Sequence, residues 1–308
     1  MKGFSIALLA CVFLALEPVF NKILLQYMSP VVLTALTSSA AAVVLFLILE
    51  VEHRVWDVFK LKRKEFTVLL LVGLLSGVFA QLFYATGLRD STATNAVLLT
   101  RLNSLLIAFM GVAFMRERLR MNHVVGAVLM VVGIAVIATR NFTAEVTLMQ
   151  GDGLLILAAV FWAGSNILMK KYLCRMHPEV IVIYYYGFSG FTLLLISMLM
   201  VLTSGHPIVP VTAEVIAYFT GLVVLVSVIG RYLWYYSFER TTASNVGLAS
   251  LSIPFFGVIY AIVLLSEKMQ THQAVGGILI LAGLAAVEYN QIFAPDAEHR
   301  LKRHHPHH

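Results

Sequence analysis

Long apolar stretches alternate with short polar ones along almost the whole chain. Each apolar run is long enough to cross the roughly 30 Å hydrocarbon core of a bilayer as an α-helix. The polar segments between the runs are short and carry Pro, Gly or charged residues. This pattern predicts an all-α polytopic membrane protein with ten transmembrane helices, at about residues 3–26, 30–50, 66–88, 92–115, 121–140, 152–173, 179–203, 212–238, 242–265 and 271–292.

The composition agrees with this prediction. The chain is 60% hydrophobic and 12% charged, whereas a soluble domain is about 25% charged. The net charge of +6 lies mostly in short loops, so it does not indicate a nucleic-acid partner. Cys11 and Cys174 give neither a disulfide framework nor a metal-ligand spacing, and we expect no metal and no cofactor. The first run contains Glu17 and Pro18 and no small-residue cleavage site, which predicts a helix rather than a removable signal peptide.

The distribution of basic residues predicts the orientation. If the N-terminus is cytoplasmic, the great majority of Lys and Arg residues lie in cytoplasmic segments, and the opposite loops hold only Arg89, Arg140 and Lys268. Such a bias follows the positive-inside rule. We therefore expect a multi-pass protein of the plasma membrane with both termini in the cytoplasm.

The sequence repeats itself at half its length. "STATNAVLL" at 91–99 aligns with "TTASNVGLA" at 241–249, and "RERLRMNHVVGAVLMVVGIA" at 116–135 aligns with "SEKMQTHQAVGGILILAGLA" at 266–285. We predict a first repeat at 1–140, a linker at 141–151, a second repeat at 152–292 and a cytoplasmic tail at 293–308. Because each copy holds five helices, an odd number, the second must enter the bilayer from the opposite side. Inverted repeats of this kind are typical of secondary transporters that work by alternating access.

Several landmarks recur in both copies at equivalent positions. Asn95 and Asn245 are predicted to cap or bond the start of the fourth helix of each copy. Glu117 and Glu267 lie at span ends, where we expect a structural role in bonding helix ends or a neighbouring basic residue. Gly126 and Gly276 begin a pair of spaced glycines in the fifth helix of each copy.

Each copy ends in the pattern Glu-basic-x-x-x-x-(His/Gln)-x-x-Gly-x-x-x-x-x-x-Gly. Two five-helix copies with this pattern resemble the EamA branch of the drug/metabolite transporter superfamily. The resemblance covers nearly the whole chain and implies export of amino acids, metabolites or toxic compounds. The first helix departs from relatives by reading "LALEPVF", with Glu17 where an uncharged residue is usual. The pattern residues are Glu117, Arg118, His123, Gly126 and Gly133, then Glu267, Lys268, Gln273, Gly276 and Gly283.

Three ionisable residues fall near the middle of predicted spans: Glu17, Arg101 and Arg231. Each costs about 2.5–3.5 kcal/mol on insertion scales, so each is a candidate functional residue. Glu17 either pairs with an arginine to hold helices together or meets the substrate. Arg101 likewise pairs with Glu17 or binds substrate. Arg231 suits either a cavity wall or a cation–π contact in the core.

Neighbouring polar and aromatic residues share helix faces with these charges. Asn21 lies one turn from Glu17, and Trp234 and Tyr235 share a stripe with Arg231. The counterpart of Arg231 in the first copy is Gln81, followed by Tyr84. Trp162, Ser165 and Asn166 occupy the second copy's first helix, where they either line a cavity or pack helices. The candidate substrate-binding residues are therefore Glu17, Asn21, Gln81, Tyr84, Arg101, Trp162, Ser165, Asn166, Arg231, Trp234 and Tyr235.

One carboxylate and two guanidiniums leave an excess of positive charge inside the bilayer, which favours a substrate with a carboxylate. An amino acid fits, with arginine for its carboxylate and Glu17 for its ammonium. The alternative is an exporter of organic cations or drugs that uses Glu17 and aromatic side chains. An intramembrane serine protease at "GFSG" (187–190) fits less well because no histidine lies mid-span to act as a base. A channel fits less well because the polar residues gather at mid-depth instead of forming rings along a pore. A structural or receptor role is a further alternative. We thus predict a transporter and not an enzyme, monomeric or homodimeric, driven by protons or by substrate exchange.

Overall fold

The computed structural model describes residues 2–51, 61–115, 121–138, 149–173, 176, 178–204, 211–240, 249–250 and 252–293. The regular elements in these ranges are all helical. In the first half of the chain they are α1 (Lys2–Leu14), α2 (Glu17–Leu24), α3 (Pro30–Val51), α4 (Arg63–Val72), the π-helical segment π1 (Gly73–Ala80), α5 (Gln81–Arg89), α6 (Ala93–Leu99), α7 (Leu102–Met115) and α8 (Met121–Ala138). In the second half they are α9 (Asp152–Tyr172), α10 (Pro178–Ser204), α11 (Ala213–Gly221), π2 (Leu222–Gly230), α12 (Arg231–Arg240), α13 (Ser252–Leu265) and α14 (Thr271–Phe293).

Six helical stretches of the described chain are long and apolar enough to cross a bilayer. They are Gly3–Leu24, Pro30–Val51, Arg63–Arg89, Asp152–Met169, Glu179–Thr203 and Ala213–Trp234. Three shorter apolar helices accompany them, at Val124–Ile137, Ser252–Leu265 and Thr271–Ala286. The described helices are consistent with the predicted fold class, an all-helical polytopic membrane protein. The count of ten spans and the side of each terminus stay predictions.

Two of the predicted spans are interrupted by a break in the helix. The first breaks at Ala15–Leu16, directly before Glu17, and Pro18 near the start of α2 has no backbone N–H to donate. The fourth breaks at Thr100–Arg101, between α6 and α7. Thr100 Oγ1 donates to the Ala96 carbonyl at 2.6 Å, a side-chain bond of the kind that bends helices. Two of the three mid-span charges thus lie at helix breaks.

The third span of each half contains a π-helical segment at the same place. π1 ends at Ala80 and is followed directly by Gln81, and π2 ends at Gly230 and is followed directly by Arg231. These two residues are aligned in the sequence repeat. π segments inside α-helices are rare and are frequent at functional sites. The matched pair of π segments therefore makes Gln81 and Arg231 candidate functional residues.

The last helices of the two halves, α8 and α14, pack closely along small residues. A Cβ on Gly133 would lie 2.7 Å from the Gly276 carbonyl oxygen, and a Cβ on Gly283 would lie 2.7 Å from that of Gly126. Rising residue numbers on one helix meet falling numbers on the other, so the pair is antiparallel. Gly126 and Gly276, like Gly133 and Gly283, are aligned in the repeat, so the contact is the same when the two halves are exchanged.

The other contacts between the halves also stay the same when the two halves are exchanged. α3 packs against α10, with Ala35 beside Leu193 and Ala41 beside Tyr186. The first span of the first half, α1, packs on π2 and α12 of the second half. The first span of the second half, α9, packs on π1 and α5 of the first half. These contacts place the third spans of both halves next to the opposite half, around the centre of the bundle.

Candidate functional site

A polar cavity of about 220 Å³ lies between the two halves. Its walls come from α2, π1, α5 and α7 of the first half and from α9, α10 and α12 of the second. The lining residues are Glu17, Ser76, Gln81, Asn103, Trp162, Asn166, Met169, Ile181, Val182, Tyr185 and Arg231. We call this space the main compartment.

A smaller space of about 20 Å³ adjoins the same site, and we call it the small compartment. It shares Glu17, Gln81 and Arg231 with the main compartment. The rest of its wall is rich in hydroxyl groups from α3 and π2. The full lining is Glu17, Asn21, Thr34, Thr37, Ser38, Gln81, Ala85, Tyr186, Leu222, Ser227 and Arg231.

The three shared residues each begin a helix. Glu17 is the first residue of α2, Gln81 the first of α5 and Arg231 the first of α12. Glu17 therefore sits in the first turn of its helix, where the partial positive charge of the N-terminus favours an anion. The helix break precedes Glu17, π1 precedes Gln81 and π2 precedes Arg231. These local features bring the three side chains to the same level of the bundle.

Two adjacent tyrosines of α10 complete the polar wall. The Gln81 side-chain amide donates to the Tyr185 hydroxyl at 3.3 Å. The guanidinium carbon of Arg231 lies 5.9 Å from the centroid of the Tyr186 ring, which is a cation–π distance. The two rings meet edge to face, with centroids 4.9 Å apart at 78°. Gln81 and Arg231, the repeat-related pair, are thus each held by one of two consecutive tyrosines.

The cavity also presents polar groups that the described part of the protein does not engage. No hydrogen bond or ion pair involves the carboxylate of Glu17 within the described residues, and it forms no ion pair with Arg231 there. The buried Asn103 Oδ1 has no partner there either. Buried polar groups are normally satisfied, so these atoms face water or a ligand. Across the same ranges, no group of three or more His, Cys, Asp or Glu side chains is placed to hold a metal ion.

The structure brings six of the eleven candidate residues to these two compartments. Trp162 and Asn166 line the main compartment, and the Asn166 amide donates to the Trp162 carbonyl at 2.8 Å. Asn21 lines the small one. Glu17, Gln81 and Arg231 line both. The assignment of these six residues to substrate stays a prediction.

The remaining candidates lie elsewhere. Tyr84 is buried in the core, where its ring packs against Trp162 with centroids 5.4 Å apart. Ser165 is fully buried and outside both linings. Trp234 packs into a cluster with Ala7 and Cys11 of α1. The side chain of Tyr235 lies outside the described part of the structure.

Arg101 does not pair with Glu17. It lies in the turn between α6 and α7, where its Nε donates to the Val97 carbonyl at 3.3 Å, and it is absent from the lining of both compartments. The sequence left open whether this arginine would pair with Glu17 or bind substrate, and the geometry gives no support to the first of these.

The repeat landmarks of the described chain gather in a polar cluster at one end of the bundle. The Asn95 amide donates to both carboxylate oxygens of Asp152, at 3.2 and 3.3 Å. Gln273 donates to Asn95 Oδ1 at 2.8 Å. The Glu267 carboxylate bonds the N-terminus of α6, as described below. Glu117 and Asn245 lie outside the described residues.

Two further contacts close the same end of the bundle. The Lys22 ammonium donates to the carbonyls of Leu88 at 2.7 Å, Arg89 at 3.0 Å and Ser91, capping the end of α5. The Tyr27 hydroxyl donates to Glu214 at 3.2 Å, and this hydrogen bond raises the pKa of Tyr27.

An apolar helical bundle with a polar, charged cavity between two similar halves is typical of a membrane transport protein. The chain belongs to the EamA-like transporter family, whose model matches residues 1–139 and again residues 149–289. The resemblance seen in the repeat motifs is thereby confirmed. The family and the names of its relatives indicate a transporter rather than an enzyme.

Named relatives cover most of the chain. A protein of Methanothermobacter thermautotrophicus, named "Uncharacterized transporter", is 29% identical over 302 residues, which span 94% of this chain and 86% of that protein. A protein of Salmonella typhimurium, named "Probable amino-acid metabolite efflux pump", is 26% identical over 293 residues, spanning 92% of this chain and 93% of that protein. A crystal structure 22% identical in sequence matches with a TM-score of 0.64, over 92% of this chain and 96% of the other, which shows the fold.

Proposed function

We propose that this protein is a secondary transporter that exports a small carboxylate-bearing metabolite, such as an amino acid, by alternating access. The observation that carries the proposal is the cavity between the halves, whose shared wall combines Glu17, Gln81 and Arg231. It holds one acidic and one basic side chain that form no ion pair with each other within the described residues. A substrate that carries both a positive and a negative charge complements Glu17 and Arg231.

The mechanism rests on two inverted five-helix repeats, at 1–140 and 152–292, joined by the linker 141–151. The antiparallel contact of α8 with α14 supports this arrangement, because exchanging the halves leaves the glycine pairs unchanged. So do the π segments at equivalent places and the exchanged packing of α1 and α9 on the third spans. In this arrangement the halves rock around a fixed central site. Ten spans then leave both termini on the same side, and the bias of basic residues assigns that side to the cytoplasm, with 293–308 as a tail.

The charges favour an amino acid over a simple carboxylate. Arg231 suits the carboxylate of the substrate because guanidinium matches carboxylate geometry. Glu17 suits the ammonium group, and a substrate that lacked one would leave this carboxylate without a partner. The name of the Salmonella typhimurium relative agrees with an amino-acid metabolite and with export.

An organic cation is the second candidate. Trp162 and Tyr185 line the main compartment and Tyr186 lines the small one, as Glu17 lines both, and aromatic rings attract cations. Arg231 opposes this candidate because its guanidinium lines both compartments and repels a cation.

Counterflow in proteoliposomes tests the proposal. Protein reconstituted with a high internal concentration of one amino acid is expected to accumulate the radiolabelled form of that amino acid, with saturable kinetics. A set of amino acids, simple carboxylates and quaternary amines separates the two candidates, and accumulation of the amines alone would favour the cation exporter. Linear, non-saturable flux would indicate a channel.

The driving force and assembly are tested in the same vesicles. We propose proton coupling or substrate exchange as the energy source, in a monomer or homodimer of the plasma membrane. Proton coupling predicts accumulation driven by an imposed pH gradient in the absence of internal substrate. Exchange predicts accumulation only when substrate is present on both sides.

A further inference from the structure

The small compartment is walled by polar side chains that the described protein leaves unsatisfied. The hydroxyl of Thr37 is buried and has no hydrogen-bond partner among the described residues. Ser38 is 5% exposed, Ser227 is 4% exposed and Asn21 is 8% exposed. Within the same ranges none of these three side chains forms a hydrogen bond or an ion pair. Four buried polar groups therefore surround one void, together with Glu17 and Arg231.

One neighbouring hydroxyl in the same wall behaves differently. Thr34 Oγ1 donates to the Pro30 carbonyl at 2.8 Å, one turn earlier in α3. Its hydrogen is already committed to the helix. A hydroxyl of this wall can thus be committed to its own helix, whereas that of Thr37 is not.

Buried polar groups are nearly always hydrogen-bonded, so water or a bound substrate supplies the missing partners. The void of about 20 Å³ is too small for a whole metabolite and admits only a compact head group. The wall is rich in donors, since the hydroxyls, the Asn21 amide and the Arg231 guanidinium all donate. A guest that accepts several hydrogen bonds and carries negative charge fits this wall best.

We propose that the small compartment binds the free carboxylate of the transported compound, while the rest of the molecule occupies the main compartment. This inference rests on the proposed function and assigns the head group of the substrate to one subsite. Glu17 lies at the junction of the two spaces, where it meets an ammonium group one carbon away from the carboxylate. The site is then selective for a free α-amino acid.

The main compartment sets the preference for the remainder of the substrate. Its wall includes Trp162, Met169, Ile181 and Val182, which suit an apolar side chain. A methyl ester enlarges the head group and removes its negative charge, and a primary amide removes the charge alone, so we expect neither to bind the small compartment as the carboxylate does.

The test measures binding of L-leucine, L-methionine and L-phenylalanine to the purified protein by isothermal titration calorimetry. Their methyl esters and the amines formed by removing the carboxylate serve as matched probes. We expect the free amino acids to bind about tenfold or more tighter than either analogue, which is the effect of losing hydrogen bonds to a charged group.

Two isosteric variants localise the effect to the void. Thr37→Val keeps the shape and removes the uncommitted hydroxyl, so it is expected to weaken amino-acid binding about tenfold and to leave amine binding unchanged. Thr67→Val is the control, because its hydroxyl donates to the Arg63 carbonyl at 3.0 Å and lines neither compartment, and we expect less than about a threefold change. Ser227→Ala provides a second variant for the case that Thr37→Val does not fold.

The possible results separate this inference from the proposed function. If the wild-type protein binds esters as tightly as acids and Thr37→Val and Ser227→Ala have no effect, the small compartment holds only water and the inference fails while transport of amino acids stands. If Thr37→Val weakens acids and amines equally, the hydroxyl supports the cavity shape and the inference also fails. If no carboxylate-bearing compound is transported at all, both proposals are rejected.

Discussion

Glu267, in the second half of the chain, closes the start of α6 in the first half through Thr94. One carboxylate oxygen of Glu267 accepts from the Thr94 backbone N–H at 3.1 Å and from the Thr94 hydroxyl at 2.9 Å, and the other accepts from the Ala93 N–H at 2.8 Å. The first N–H groups of a helix have no partner within the helix, so a carboxylate from elsewhere satisfies them. The two halves are thereby joined at a helix end.

Replacing Glu267 by Ala removes three charge-assisted hydrogen bonds at once. We expect the free energy of unfolding to fall by about 1–2 kcal/mol, the usual cost of losing an N-terminal cap. Thermal unfolding in detergent measures it. Lys268→Ala is the control, since this neighbouring side chain is exposed, and it is expected to leave the melting temperature unchanged. Equal stability of both variants would show that the contact does not stabilise the protein.

Gly133→Ala tests the contact between α8 and α14. The added methyl would lie 2.7 Å from the Gly276 carbonyl oxygen and 3.0 Å from the backbone nitrogen of Ile280, and neither backbone atom can move without shifting a helix. Overpacking of this kind costs about 1–3 kcal/mol, so we expect a lower melting temperature.

A matched glycine in α10 provides the control. A Cβ on Gly187 would meet nothing within 4 Å. Gly187→Ala is therefore expected to raise stability by about 0.5–1 kcal/mol, because alanine loses less conformational entropy than glycine in a helix. If both alanine variants behaved alike, close packing of α8 on α14 would not be what requires glycine at 133.

Arg231→Ala is expected to abolish transport of a carboxylate substrate while the protein still folds. The loss of a charged hydrogen-bond donor of this kind weakens binding by about 10- to 100-fold. Counterflow of the radiolabelled amino acid, with size-exclusion chromatography as the check of folding, measures the effect. Arg89→Ala, which removes an exposed arginine whose Nε lies 3.3 Å from the Asp90 carboxylate, is the control. Unchanged transport in Arg231→Ala would falsify the assignment of this residue to the substrate.

Tyr186 is expected to act through its ring and not through its hydroxyl. The Arg231 guanidinium lies over the ring, so Tyr186→Phe keeps the contact and Tyr186→Leu removes it. A cation–π contact contributes about 0.5–2 kcal/mol, which corresponds to roughly 2- to 30-fold in affinity. We expect this loss in Tyr186→Leu and near-normal affinity in Tyr186→Phe. The opposite order would assign the role to the hydroxyl.

The helices were largely predictable from the sequence, because apolar runs bounded by proline or charge leave little choice of ends. The span predicted at 30–50 is the helix Pro30–Val51, and the span predicted at 271–292 is Thr271–Phe293. What the sequence did not reveal are the interruptions at Thr100–Arg101 and in π1 and π2. A periodicity argument reports only which face of a helix is apolar, so it does not show where the backbone hydrogen-bond pattern changes.

The candidate site was predictable where the repeat supplied a second observation. Aligning the copies paired Gln81 with Arg231, and both line the cavity. Tyr185 and Tyr186 were missed, since aromatic residues early in a span are typical of the membrane interface. Trp234 shares a helical stripe with Arg231 but packs against α1, because such a stripe is wide enough to face two different neighbours.

The directions in which the side chains of Gln81 and Arg231 point depend on whether π1 and π2 are π-helical or α-helical. Each residue of an α-helix turns the chain by about 100°, so relaxing π1 or π2 to ordinary α-helix would swing Gln81 or Arg231 away from its tyrosine by roughly that angle. The same relaxation would slide the remainder of the helix along its axis by about 1.5 Å. A carrier that converted one π segment to α-helix while the other stayed π-helical would turn one of these two side chains away from the cavity and keep the other in place. No helix would have to unfold for this change.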